Sequence, residues 1–222
     1  PLRFFYLIMN PGSVMTLGVY FICVFMPVSI AAALLEVLRR PVPKWLTWTG
    51  IVSAFCVAAY TGFLLGVVSA YPLWNNAILP VLFVVSALSA GLAATSLVGL
   101  ITDRERFEQM WLIKKSHVIL SAIEMVVLAT MLIIVSSGSP EGAASVASLV
   151  SGQYAPMFWG GLVLLGLVAP FAIEGYPVFV TRKVETSTTS MVVSVIGEGG
   201  VLVGGFMLRL LVILAALPVL YL

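Results

Sequence analysis

The sequence predicts an all-α fold, a polytopic transmembrane helix bundle with six spans, and three observations predict it. Hydrophobic residues make up 61% of the 222 and charged residues only 9%. A soluble domain carries about 25% charged residues because its surface faces water, so lipid is the expected solvent here. Six apolar runs reach the roughly 20 residues that a hydrocarbon core about 30 Å thick requires of a helix. The basic residues, lastly, are sorted into alternate connections. The net charge of +2 offers nothing to a nucleic acid, whose binding needs a concentrated basic surface.

The runs lie at 13–38, 45–70, 77–101, 116–135, 156–180 and 190–221, and together they read as a single transmembrane domain over 1–222. Helices are the expected form, since a helix satisfies its own backbone groups in lipid. Near the end of the first span Glu36 stands three and four residues before Arg39 and Arg40, the spacing of a helix-end ion pair. The second contains YTGFLLG, where Gly62 and Gly66 form a GxxxG pair suited to helix packing. YPLWNN follows, and Asn75 and Asn76 suit a cap for the third span. DRERFEQMWLIKK (103–115) reads as a solvated loop with an amphipathic stretch. The segment 136–155, SSGSPEGAASVASLVSGQYA, is rich in small turn-forming residues and reads as the longest connection. Cys23 and Cys56 sit inside apolar runs and read as small buried hydrophobes.

The connections after spans one, three and five hold Arg39, Arg40, Lys44, Arg104, Arg106, Lys114, Lys115, Arg182 and Lys183, nine of the eleven basic residues. YPLWNN and 136–155 hold none. By the positive-inside tendency the nine face the cytoplasm, so both chain ends and YPLWNN face outward.

Five ionisable groups fit no loop: His117, Glu124, Glu174, Glu198 and Arg209. Each needs a partner, water or a proton, because a charge at bilayer depth costs about 2.5–3.5 kcal/mol on insertion scales. At about 1.5 Å per residue, Glu124 and Glu198 lie roughly 12 Å, and Glu174 roughly 9 Å, from the cytoplasmic ends of their spans. Three carboxylates are thus expected in one inner layer. His117 and Glu124 are two helical turns apart and share a face with Ser121 between them. Glu174 stands between Pro170 and Pro177, and Glu198 stands in the glycine-rich VIGEGGVLVGG. The four groups His117, Glu124, Glu174 and Glu198 read as a proton path, or separately as neutral, hydrogen-bonded packing elements. His117 is the sole histidine, which excludes a bis-histidine haem and a histidine-rich metal site. The chain alone is expected to hold no haem or metal.

Toward the outer side lie Arg209, Tyr60, Ser69, Trp74, Asn75 and Asn76. This polar, aromatic group suits a flat amphipathic molecule with two carbonyl or hydroxyl ends, a quinone or quinol. Snorkelling for Arg209 and a belt anchor for Trp74 are the plainer alternatives.

YTGFLLGVVSAYPLWNNAILPVLFVVSALSAG resembles the central motif of the NrfD-like, polysulfide reductase membrane-subunit family. NPGSVMTLGVYFICVF, KKSHVILSAIEMVVL and GEGGVLVGGFMLRLLVILAA are similar to further family segments, so the resemblance covers nearly the whole chain. It implies a membrane subunit without its own redox cofactor, in the bacterial inner membrane, that exchanges electrons between menaquinone or ubiquinone and a ferredoxin-type iron–sulfur subunit. Molybdopterin or haem-containing subunits are the implied further partners. Tyr60 and Arg209 match the family's motif Tyr and Arg, and the resemblance starts at what looks like its third span, which implies that the family's N-terminal spans are lacking. The expected function is therefore a quinone-interacting subunit of a multi-subunit redox complex, with quinone contacts at Tyr60, Arg209, Trp74 and Asn75. An ion-coupled secondary transporter explains buried acids and broken helices equally well, and a structural anchor is the third reading.

Overall fold

The computed structural model describes residues 10, 12–102, 110–176, 179 and 188–219. Among the sequence features above, Arg3, Arg104, Arg106, Pro177, Arg182 and Lys183 lie outside the described residues. Six long helices cross the molecule: α1 (Val14–Val37), α2 (Lys44–Gly66), α3 (Ile78–Thr102), α4 (Met110–Gly138), α6 and α7 (Thr188–Leu214). α6 is composite, wound as a π-helix over Met157–Val168 and as an α-helix over Ala169–Tyr176. A short helix, α5 (Pro140–Val150), lies between α4 and α6. Among the described residues there is no strand.

Each of the six expected spans corresponds to one long helix, all of them long and apolar enough to cross a membrane. α1 stops at a tight C-terminal motif. Arg40 N–H donates to the Leu35 carbonyl and Arg39 N–H to the Glu36 carbonyl, each at 2.9 Å, while Arg39 takes the left-handed φ of 54°. That position usually belongs to glycine, and Pro41 beyond it cannot resume the helix. α3 starts under Asn76, whose Oδ1 accepts from Ile78 N–H at 2.9 Å.

The segment 136–155, expected as a loop, contains α5. Ser139 caps it by accepting from Gly142 N–H at 3.0 Å, Pro140 fills the first turn and Glu141 faces the positive helix end. Those three residues are a helix-start signature hidden within a composition that resembles a turn. The π-winding of α6 was also absent from the periodicity. It ends where Ala169 N–H donates to the Leu164 carbonyl five residues back. Pro170 follows, and a proline, lacking N–H, is tolerated in a first helical turn.

α3, α4, α6 and α7 close into a four-helix core, to which α2 adds along α3 and α1 along α2. Burial follows that order: 33–44% of the core spans is enclosed, against 11% for α2 and 6% for α1. Half of the core interior, at the end where α2 joins α3, is purely apolar, built on Leu73, Leu79, Leu82, Met131, Phe158, Leu162 and Leu208. Close approach depends on glycine where helix backbones touch. A Cβ on Gly62 would stand 2.5 Å from the Pro80 Cα. One on Gly204 would collide with the Gly166 backbone opposite, and one on Gly200 would meet the Leu165 carbonyl at 2.5 Å.

Candidate functional site

Three of the core helices carry a polar stripe at helical spacing. Ser86, Ser89 and Ser96 lie on α3, His117, Ser121 and Glu124 on α4, and Ser194 and Glu198 on α7, all buried. Steps of three, four and seven residues keep such groups on one face. α6 adds the buried Glu174. The stripes turn toward one another and form a polar seam in an otherwise apolar bundle.

The tightest part of the seam centres on His117. Its Nδ1 lies 3.4 Å from Glu174 Oε2, and its Nε2 lies 3.4 Å from Glu198 Oε2 and 3.1 Å from the Ser89 carbonyl oxygen. The three side chains are 1%, 1% and 0% exposed. A carbonyl oxygen only accepts, so Nε2 carries a hydrogen and donates to Ser89. Nδ1 then faces the Glu174 carboxyl group across 3.4 Å. Burial of ionised carboxylates without compensation is costly, and the imidazole between them is the available proton partner. Glu174 and Glu198 reach this point because Gly166 and Gly204 let α6 and α7 touch backbone to backbone.

The second part lies further along α4. Glu124 hydrogen-bonds with Ser86 and is electrostatically coupled to Arg209. The guanidinium donates from Nη1 to the Gly205 carbonyl at 2.7 Å, lies 3.5 Å from Ser86 Oγ and sits 5.4 Å over the Phe83 ring. Seven residues separate Glu124 from His117, about 10 Å of helix rise, and the buried Ser121 falls between them.

The remaining candidates lie toward the end where α2 joins α3. Tyr60 is half-buried between α1 and α2; its ring fills the place where Gly18 has no side chain, and its hydroxyl donates to the Met15 carbonyl at 3.5 Å. Trp74 stacks on Tyr71, ring centroids 4.2 Å apart, and its Nε1 donates to the Val212 carbonyl at 2.7 Å. Asn75 is exposed and lines a cavity of about 350 Å³ with Ser69, Pro72, Asn76, Ile134 and Ser139.

The structure thus brings His117, Glu174 and Glu198 together and places Glu124 with Arg209. Tyr60 faces α1, whereas Arg209 faces α3 and α4. Sequence reasoning missed Ser86 and Ser89, which link both parts of the seam to α3. The available signal was their spacing, three residues apart on one face of an apolar span.

The family model for polysulphide reductase, NrfD, matches residues 1–220. The protein is 30% identical over 200 residues to the C subunit of the polysulfide reductase of Wolinella succinogenes, covering 78% of the present sequence and 62% of that protein. It is 30% identical over 182 residues to protein NrfD of Escherichia coli, covering 80% and 54%. A protein NrfD homolog of Haemophilus influenzae is 28% identical over 166 residues, covering 74% and 50%. The chain therefore spans between half and about three fifths of the length of these relatives. No solved structure matches it significantly. A family match along nearly the entire chain, on a bundle of six apolar helices, makes this an integral, multi-pass membrane protein, and it belongs to the NrfD (polysulphide reductase) family.

Proposed function

We propose that the chain is the quinone-interacting membrane subunit of a multi-subunit redox complex in the bacterial inner membrane, and that its buried acids carry the protons of quinone chemistry. The observation that supports this most is the polar seam: three Glu and a His enclosed in the core of a family member, with the half-buried Arg209 beside them. A purely structural anchor gains nothing from burying ionisable groups, since each costs free energy in lipid.

Oxidation of a quinol releases two electrons and two protons. The protons need acceptors that bind and release in turn, and the electrons need a centre within reach. At the end where α2 joins α3, the Tyr60 oxygen, whose proton goes to Met15, can accept from a quinol O–H, and Asn75 offers an amide to the head-group oxygens of menaquinone or ubiquinone. Arg209 is the seam's residue closest to that end, five residues before α7 finishes. Its fixed positive charge stabilises a head group that has lost a proton. Trp74, expected among the quinone contacts, has its N–H donated to Val212 and serves instead to hold the connection. From Glu124, held beside Arg209, a proton passes by Ser121 to His117, whose two nitrogens face Glu174 and Glu198. Electrons leave to a ferredoxin-type iron–sulfur subunit on the membrane surface, and from there to molybdopterin or haem-containing subunits. The Wolinella relative, by its name, is one chain of a polysulfide reductase.

The test compares quinol-linked turnover with turnover driven by an artificial donor, in membranes containing the whole complex. Tyr60→Phe and Arg209→Gln are expected to lower the first about tenfold or more, the loss of one interaction of about 1.4 kcal/mol, and to leave the second unchanged. Equal loss in both assays, or none in either, overturns the site.

A further inference from the structure

We propose that His117, Glu174 and Glu198 form a binding site for a divalent first-row transition ion, with Zn2+ the best fit. Each residue offers one ligand atom, and the three atoms lie within 4.8 Å of one another. An imidazole with two carboxylates is a mixed N/O donor set, which suits Zn2+ and its neighbours. Mg2+ and Ca2+ prefer oxygen alone. Three protein ligands drawn from His and Glu are also the set of catalytic zinc sites, where a water or substrate takes the fourth position.

The geometry is already close to what the ion requires. Zinc bonds of 2.0–2.1 Å in a tetrahedron place neighbouring ligand atoms about 3.3 Å apart, and His117 Nδ1 stands 3.4 Å from Glu174 Oε2. The ring is held for this role from behind: Nε2–H donates to the Ser89 carbonyl, leaving the Nδ1 lone pair for the metal. A metal-bound histidine characteristically donates its other N–H to a carbonyl or carboxylate in this manner. Glu198 lies at the Nε2 edge of the ring, 3.4 Å away, and a rotation of its carboxyl group brings an oxygen to the ion.

A second observation points the same way. Glu198 is 0% exposed, and neither of its oxygens has a hydrogen-bond partner; His117 Nδ1 is buried and likewise lacks one. Buried polar atoms of this kind are rare and call for a specific partner. A doubly charged cation cancels two carboxylates and makes the site neutral, the favourable state at bilayer depth. The single histidine still excludes a histidine-rich site. A set gathered from α4, α6 and α7 departs from the expectation that the chain alone holds no metal.

The test is Zn2+ binding to the purified, chelator-treated complex, measured by equilibrium dialysis and by X-ray absorption at the zinc edge. The expected result is one Zn2+ per complex with only N and O neighbours at about 2.0 Å, its affinity at least tenfold weaker in Glu198→Gln and in His117→Gln. Glu124→Gln, outside the cluster, is expected to bind as the unaltered complex does, and co-purification of each variant chain with its partner subunits in unchanged yield shows that it has assembled. Unchanged Zn2+ binding in both cluster variants, or equal loss in Glu124→Gln, overturns the proposal. The consequence for protons rests on the function proposed above, because a bound doubly charged cation opposes protonation of the groups that hold it. Binding that leaves quinol-linked turnover untouched would therefore sink the proton path and leave the metal site standing.

Discussion

Trp74 illustrates how much a single side chain decides at the surface of the bundle. α7 ends at Leu214, so the carbonyls of its last turn have no partner within the helix. Ala215 N–H turns back to the Leu211 carbonyl at 3.0 Å, and the indole N–H of Trp74 takes the Val212 carbonyl at 2.7 Å. A residue of the α2–α3 connection thereby caps a helix 138 positions away. Trp74→Phe keeps an aromatic ring against Tyr71 but leaves that carbonyl unpaired, a cost of about 1–3 kcal/mol. We expect a lower thermal inactivation midpoint for the complex, with the ratio of quinol-linked to artificial-donor turnover unchanged. A ratio that falls as it does in Tyr60→Phe would return Trp74 to the quinone contacts.

Between elements, the decisive residues are glycines, and their neighbours separate two kinds within one motif. In GEGGVLVGG, Gly199 has nothing within 4 Å of a would-be Cβ, whereas Gly204 meets the backbone of Gly166. Two backbones cannot yield as a side-chain tip does, so Gly204→Ala pushes α7 away from α6 and draws Glu198 from Glu174. Overpacking of this sort costs about 1–3 kcal/mol; Gly199→Ala is neutral or gains up to about 1 kcal/mol of helix propensity. The yield and thermal midpoint of assembled complex are expected to fall for Gly204→Ala alone, and equal behaviour of the two would remove the contact from the account. The same contrast marks what could be read in advance. Span number and order were legible because apolar length is a property of each segment by itself. The meeting of His117, Glu174 and Glu198 was half legible, because depth along a helix follows from residue count. The count has to start at the true helix end: α4 begins at Met110, six residues before the expected start at 116, so His117 rather than Glu124 reaches the layer of Glu174 and Glu198, and Glu124 stands with Arg209. α5 was missed because glycine and serine outweighed the Ser139–Pro140–Glu141 start.

At the scale of the molecule, the two ends differ in charge, and that difference fixes a sidedness to be tested. Arg39, Arg40, Lys44 and Lys115 lie at the end where α1 joins α2 and α3 meets α4. Among the described residues, the opposite end, with the α2–α3 connection, α5 and the tail after α7, has no Lys or Arg. That tail closes over the end, with Val219 N–H donating to the Ala70 carbonyl at 2.8 Å and Leu217 N–H to Ser145 Oγ at 3.1 Å. Basic residues are retained on the cytoplasmic side, so the capped end without them is expected to face outward. Replacing Cys23 and Cys56 by Ala removes the native thiols, both of which lie within spans. Single cysteines then go to Gln153 and Arg40, exposed positions at opposite ends. A membrane-impermeant maleimide applied to cells whose inner membrane is intact should label Gln153→Cys at once and Arg40→Cys only after lysis. Labelling in the reverse order would turn the chain over. It would put the Tyr60 and Asn75 end on the cytoplasmic side, and the proposed direction of proton transfer would reverse with it.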